Sequence, residues 1–251
     1  MRLVKLMIPM VLATAILGCS GTKQHKDASW TQKPASMNVL FTEPVVLNKE
    51  KDSEDSKEWT VFPWFYTSAN DASGMSTFSE KTVDSRDTLM MSENMEKMKE
   101  WFSSNVDNTL KFNSNVHYKL DCISKDRVTY SVEVLDGDSL RVPKPVSMSD
   151  GAEVYFVLDS IEMKSYQNLN LYNSGLSTPA FPIPVMGYRT NNCVKISASY
   201  AFYDAKAGKR MDFGRLDEDQ CSKERVIEHD WVNVLRELIL HMIEKTPIAQ
   251  F

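Results

Sequence analysis

Apolar residues change their spacing several times along this chain, and each spacing predicts an element. Residues 37–41 (MNVLF) form a short apolar run stopped by Glu43-Pro44, which reads as a first strand. Between Ser85 and Phe112 the pattern turns helical, with Met91, Met95, Met98, Phe102, Val106 and Leu110 recurring every three or four residues. A methionine-lined face of this kind can serve as an adaptable binding surface, but a stripe at helical spacing more often faces a sheet. Segments 117–123, 128–135 and 154–161 are rich in β-branched and aromatic residues. Turn signals at Ser124-Lys125-Asp126, Asp136-Gly137-Asp138 and Asp150-Gly151 bound them, and a meander is expected. Val194, Ile196, Ala198, Tyr200 and Phe202 then alternate with Lys195, Ser197, Ser199, Ala201 and Tyr203, the pattern of a half-buried strand. A hairpin loop at 205–209, where Gly208 can supply positive φ, returns the chain as a partner strand over 211–216. Ser222 is placed to cap a last helix through Val226, Ile227, Trp231, Val234, Leu235, Leu238, Met242 and Ile243, with Glu224 in its first turn and Pro247 beyond it.

The expected fold class is therefore α+β. One domain spans 36–251, with a mainly antiparallel sheet in which some parallel pairing stays open. Two long amphipathic helices, 88–111 and 222–245, pack on that sheet.

Polar interruptions divide these elements. Residues 20–35 (SGTKQHKDASWTQKPA) carry no apolar period and read as a flexible tether. Trp30 within it is either an interfacial anchor or a docking contact, and the lack of patterned neighbours favours docking. Residues 49–58 (KEKDSEDSKE) mix both charges without a hydrophobe and read as an exposed loop. Residues 61–66 (VFPWFY) gather Phe62, Trp64, Phe65 and Tyr66 around Pro63; they either cap the core or grip a sugar or a partner. The stretch 168–192 contains Pro179, Pro182, Pro184, Gly175 and Gly187 and reads as a long irregular loop. Loops carried by a rigid scaffold are where contacts concentrate, so Tyr172, Phe181 and Tyr188 join Trp64, Phe65 and Tyr66 as candidate contact residues, with a packed cover over the sheet as the equal alternative for this loop.

The amino terminus carries the sharpest chemical signal. Arg2 and Lys5 precede a nearly unbroken apolar run from Leu6 to Leu17, closed by Ile16-Leu17-Gly18-Cys19. The run is shorter than the roughly 20 apolar residues a spanning helix needs, and polar sequence follows at once. These residues resemble a bacterial lipoprotein signal with its lipobox. The resemblance implies a signal peptide over 1–18, cleavage before Cys19, and acylation of that cysteine as the first residue of the mature chain. Each buried CH₂ is worth about 0.8 kcal/mol, so several acyl chains together hold a protein on a bilayer. Ser20, rather than aspartate, follows the cysteine, and the resemblance then implies the outer membrane, facing the periplasm.

Charge narrows the partners. The chain carries a formal charge of -5, and loss of Arg2 and Lys5 with the signal leaves -7 on 233 residues. That balance argues against nucleic acid and against purely electrostatic docking on anionic lipid.

The strand ending in Asp204-Ala205-Lys206-Ala207-Gly208-Lys209, its hairpin return and the terminal helix resemble the closing unit of periplasmic α/β lipoproteins. The relevant types are the curli secretion lipoprotein, the amino-terminal domain of TolB and the lipoprotein activators of penicillin-binding proteins. Residues 152–161 after Asp150-Gly151 resemble their preceding strand. The resemblance covers about the last 100 residues. It implies an assembly or interaction module without catalysis.

With Cys19 acylated, Cys122, Cys193 and Cys221 remain, so at most one internal bridge forms. A 205–209 loop places Cys193 opposite Cys221, which favours that pair and leaves Cys122 as a buried free thiol; three reduced thiols are the alternative. The histidines His25, His117, His229 and His241 make no metal pair, and no metal or cofactor is expected. Asp217, Asp219 and Glu228 have the spacing of calcium-loop positions 1, 3 and 12, but Cys221 and Lys223 occupy ligand positions and the glycine is missing. No phosphate loop or nucleophile elbow occurs.

The leading expectation is thus a membrane-anchored envelope lipoprotein acting as a non-catalytic interaction or assembly module on another envelope protein. The alternative is a periplasmic glycan- or small-ligand-binding lipoprotein. An enzyme would need Asp121, Glu133 and Asp159 gathered in one cleft.

Overall fold

A strand buried on both faces needs cover on both, and Ser36–Thr42 is such a strand: every residue after Ser36 is inaccessible. The computed structural model describes residues 22–46, 85–174, 185–223 and 226–250. In chain order these form β1 (Lys23–His25), β2 (Ser36–Thr42), β3 (Val45–Val46), α1 (Ser85–Asn113) and β4 (His117–Ile123). They continue as β5 (Val128–Leu135), β6 (Asp138–Pro145), β7 (Val154–Ser174), β8 (Val185–Asp204), β9 (Arg210–Ser222) and α2 (Glu228–Ile243). The main sheet runs β1-β9-β8-β7-β2-β4, with β3 also on β7, and β5-β6 form a separate two-stranded ribbon.

Pairing in this sheet is mixed rather than mainly antiparallel, and it is not a meander. β2 lies parallel to β4 on one side and to β7 on the other, with Val39 opposite both Leu120 and Phe156. The unbroken run MNVLF is the sequence trace of that double cover, because a central parallel strand loses the polar half of the alternation.

On one face α1 and α2 seal a core of Phe41, Phe156, Leu158, Ile196, Phe202 and Trp231 with the helix residues Met98, Phe102, Val106, Leu110, Leu235 and Leu238. The expected stripe of α1 is thereby core from Met98 onward. On the other face the β5-β6 ribbon lays Leu140 and Val142 against Leu40, Tyr155, Val157, Tyr203 and Phe213. The ribbon turns through Asp136 and Gly137, both at positive φ, as a two-residue hairpin requires.

The helices are not both long: α1 has 29 residues and α2 only 16. α2 begins at Glu228 rather than at 222, because the β8-β9 ladder holds Ser222 opposite Asn192. Its first turn is closed by Asp230, whose carboxylate accepts the Ile227 N–H at 2.9 Å.

Residues 22–35 do not form a free tether. β1 pairs antiparallel with β9, placing Gln24 opposite Gly214. Lys26 Nζ donates to the carbonyls of His241 at 3.3 Å and Glu244 at 2.5 Å, so a cation sits at the carboxyl end of α2, where the helix dipole favours it. The Asp27 N–H donates to Asp212 at 2.6 Å, Lys209 pairs with Asp27 at 2.7 Å, and the Trp30 ring packs 5.3 Å from that of Phe202. Trp30 is therefore a docking contact. Hydrogen bonds from Lys209 and Ser29 hold the Asp27 carboxyl well below the usual carboxylate range.

Gly214 is what lets β1 approach so closely. A Cβ there would collide with the Lys23 carbonyl oxygen and stand 2.9 Å from the Tyr200 ring. Gly214→Ala is expected to release β1, raising amide hydrogen exchange at 23–25 while α1 stays protected, at a cost of roughly 1–3 kcal/mol.

Candidate interaction surface

Within the segment 168–192, expected as an irregular loop, residues 168–174 and 185–192 pair as the two strands of a β-ribbon arm, and 175–184 lie outside the described residues. β7 and β8 pair continuously from Glu162–Ser197 to Ser174–Val185. Neighbouring strands end sooner: β3 stops opposite Met163, and β9 stops at Ser222 opposite Asn192. Past those points the ribbon carries no flanking strand among the described residues, over a length on the order of 20 Å. The prolines that suggested a loop, Pro179, Pro182 and Pro184, all lie between the two ends of the ladder. In the register Tyr172 stands opposite Gly187 and Tyr188 opposite Leu171. Phe181, Trp64, Phe65, Tyr66 and Cys19 lie outside the described residues, as does the charged stretch 49–58.

A bulge sets where the arm leaves the sheet. Register slips between Asp159 and Glu162, with Ser160 at φ 52°. Buried Asp159 accepts hydrogen bonds from Thr42 Oγ1 and Ser160 Oγ, each at 2.8 Å, tying the bulge to the end of β2. On the other side of Glu43-Pro44 the same edge of β7 is taken over by β3.

Above the bulge the sheet face away from the helices is lined with charge. Lys195 pairs with Asp217 at 2.7 Å and Arg215 with Glu162 at 2.9 Å, while the Tyr166 hydroxyl donates to Asp219 at 2.6 Å. Burial and the bond to Asp219 push the Tyr166 phenol up to about 12. For Asp217, burial raises the carboxyl, but hydrogen bonds from Lys195 and Ser197 and the Lys195 and Arg215 charges outweigh it and hold it low. Cys193 is bonded to Cys221 across β8 and β9, a crosslink at the base of the arm. These pairings and the crosslink tie together the three strands from which the arm leaves.

A second feature runs between α1 and the free edge of β4, an open groove of about 630 Å³ lined by Phe41, Lys99, Ser103, Leu120 and Cys122. Cys122 is exposed, not buried as expected, because β4 closes the sheet and no strand covers it among the described residues. Partial burial still pushes its thiol up, so it is the unreactive protonated form that lines the groove. Lys99 bridges Glu96 at 2.7 Å and Glu43 at 3.5 Å. The three carboxylates that an enzyme would have to gather have separate settings. Asp159 is tied to Thr42, Glu133 pairs with Arg210 at 2.7 Å, and Asp121 stands exposed on β4.

No protein-family model matches the chain, and no curated protein matches it. Two solved structures are similar over much of its length. A PelC dodecamer from Paraburkholderia phytofirmans shares 7% identity at a TM-score of 0.35, over 89% of this chain and 96% of that one. A neuraminyllactose-binding hemagglutinin homolog from Helicobacter pylori shares 11% identity at a TM-score of 0.34, over 86% and 88%. At those scores neither bears on what this chain does. No helix among the described residues is long and apolar enough to cross a membrane.

The Cys193–Cys221 pair favoured by the hairpin register forms, whereas the arm was missed because Asn-rich strands such as QNLNLYN present turn formers at strand positions. The weak alternation of Leu169 and Leu171 with Asn168 and Asn170 was the signal to follow.

The low-lying Asp217 fixes a pH dependence. Its pairing adds stability above the usual 3.8, and the gain disappears as pH falls through the lower folded value. Asp217→Asn should lower stability by on the order of 1 kcal/mol at pH 7. Denaturant titrations should show that difference shrinking toward zero on acidification below the usual 3.8.

Proposed function

We propose that this chain is a lipid-anchored cell-envelope lipoprotein, without catalytic activity, that holds another envelope protein through its β-ribbon arm. The arm carries the reading. Two strands paired only with each other are marginally stable in water, so an extended ribbon of this kind gains by seating on a partner. Among the described residues its outer edges have no neighbouring strand, so their backbone groups are available to a partner strand.

Three further observations support the reading. The lipobox-like Ile16-Leu17-Gly18-Cys19 supplies an anchor, and Ser20 fits outer-membrane sorting. A Cys193–Cys221 bond suits an oxidising compartment outside the cytoplasm. Near the arm the Lys195 and Arg215 cations and the Tyr166 hydroxyl are each engaged with a carboxylate, Asp217, Glu162 and Asp219 in turn.

Crosslinking in the native envelope followed by capture of the full-length protein tests this. A variant in which residues 168–191 are replaced by Asn-Gly trims the arm where Asn192 still pairs with Ser222, leaving the crosslink and core in place. A stoichiometric partner should be recovered with the intact arm and fall at least tenfold with the shortened one. Equal recovery from both proteins, or bound glycan with no protein partner, would sink the proposal.

A further inference from the structure

We propose that the β5-β6 ribbon is a membrane-docking element, with Val132 and Val134 seated in the interface of the bilayer that holds the acylated Cys19. This rests on the anchoring proposed above and adds a contact surface to it.

Strand alternation puts Tyr130, Val132 and Val134 on one face of β5. Val132 is 66% exposed and Val134 72%, while Tyr130, nearer the sheet, is 37% exposed. The opposite ribbon face spends its hydrophobes, Leu140 and Val142, on the core, and among the described residues Val132 and Val134 stand outside both cores. Register places Arg141 opposite Val132, and its guanidinium stacks 4.2 Å over the Tyr130 ring. The Tyr130 hydroxyl is bonded back to buried Asp159, so its ring borders the valines while Arg141 supplies the polar tip. Exposed aliphatics bordered by an aromatic ring and an arginine are the composition of an interfacial surface.

Chain length says what covers it. Lys23 forms an ion pair with Asp138, the residue that follows the ribbon's turn. Cys19 lies four residues before Lys23, so its α-carbon is within about 14 Å of the Lys23 α-carbon at full extension. Because β1 is fixed to β9, that short span cannot be lengthened while the strand stays paired. Acyl chains on Cys19 therefore hold the turn end of the ribbon at the bilayer surface, whereas a free tether would have left it a choice of orientations. Net charge is negative, so docking here is driven by apolar burial and not by attraction to anionic lipid.

Full-length protein would be purified from membranes and reconstituted in phosphatidylethanolamine–phosphatidylglycerol vesicles. Nitroxide labels would be placed singly at Val134→Cys and, as a control on α2, at Glu237→Cys, each with Cys122→Ser. Intact mass reports acylation of Cys19 separately from the spin-label readout. The expected result is acylated protein whose position-134 label is at least fivefold more accessible to oxygen, relative to a water-soluble nickel chelate, than the control label. Acylated protein with a water-exposed position 134 overturns the docking and leaves the anchor standing. A label shielded from both relaxants assigns the valines to a protein contact and also overturns it. Unacylated protein overturns both readings. Circular dichroism matching the unlabelled protein verifies that these exposed sites tolerate the label.

Discussion

Everything in this molecule follows from a strand that cannot be wetted on either face. β2 pairs in parallel with β4 and β7, and its side chains point alternately into two separate cores. Parallel pairing cannot be made with a tight turn, so the chain must leave and return by long crossovers. One return brings α1, and the other brings the β5-β6 ribbon, so the connections that make β2 parallel also supply its two covers. α2 then closes the helix layer, with the Trp101 indole N–H donating to Glu228 at 3.1 Å between the two helices.

Local spacing made much of this legible and long-range pairing did not. The stripe Met98, Phe102, Val106 and Leu110 is a one-face pattern, and one-face patterns depend on nothing distant. The hairpin 205–209 was legible in the same way, but Cys193 meets Cys221 only because a bulge between Ala201 and Tyr203 shifts the register by one residue. Order in the sheet is another matter. Nothing in 37–41, 117–123 or 154–161 states which of them is the middle strand, because that is decided by tertiary cover. β6 was missed because Pro143 and Pro145 argue against a strand; both are tolerated because β6 pairs only with β5 and has a free side.

Of the candidate contact residues, Tyr172 and Tyr188 stand in the arm ladder, although for a reason opposite to the one that singled them out. They were chosen as loop aromatics and belong to strands. β1 was invisible for a different reason. Three polar residues carry no period, and their place is fixed by the absent side chain of Gly214 and by the carbonyls at the end of α2 that Lys26 caps.

In the anchored, arm-gripped arrangement proposed above, that three-residue strand lies in the path of mechanical load. In a chain held at Cys19 and gripped at its arm, tension runs down β8 and β9, which the Cys193–Cys221 bond keeps from sliding, and leaves through the short β1 ladder. The covalent end is strong and the hydrogen-bonded end is weak, so β1 yields first. If the Lys26, Asp27 and Trp30 contacts give way after it, the 16 residues of 20–35 span up to about 55 Å and a close mooring becomes a long leash.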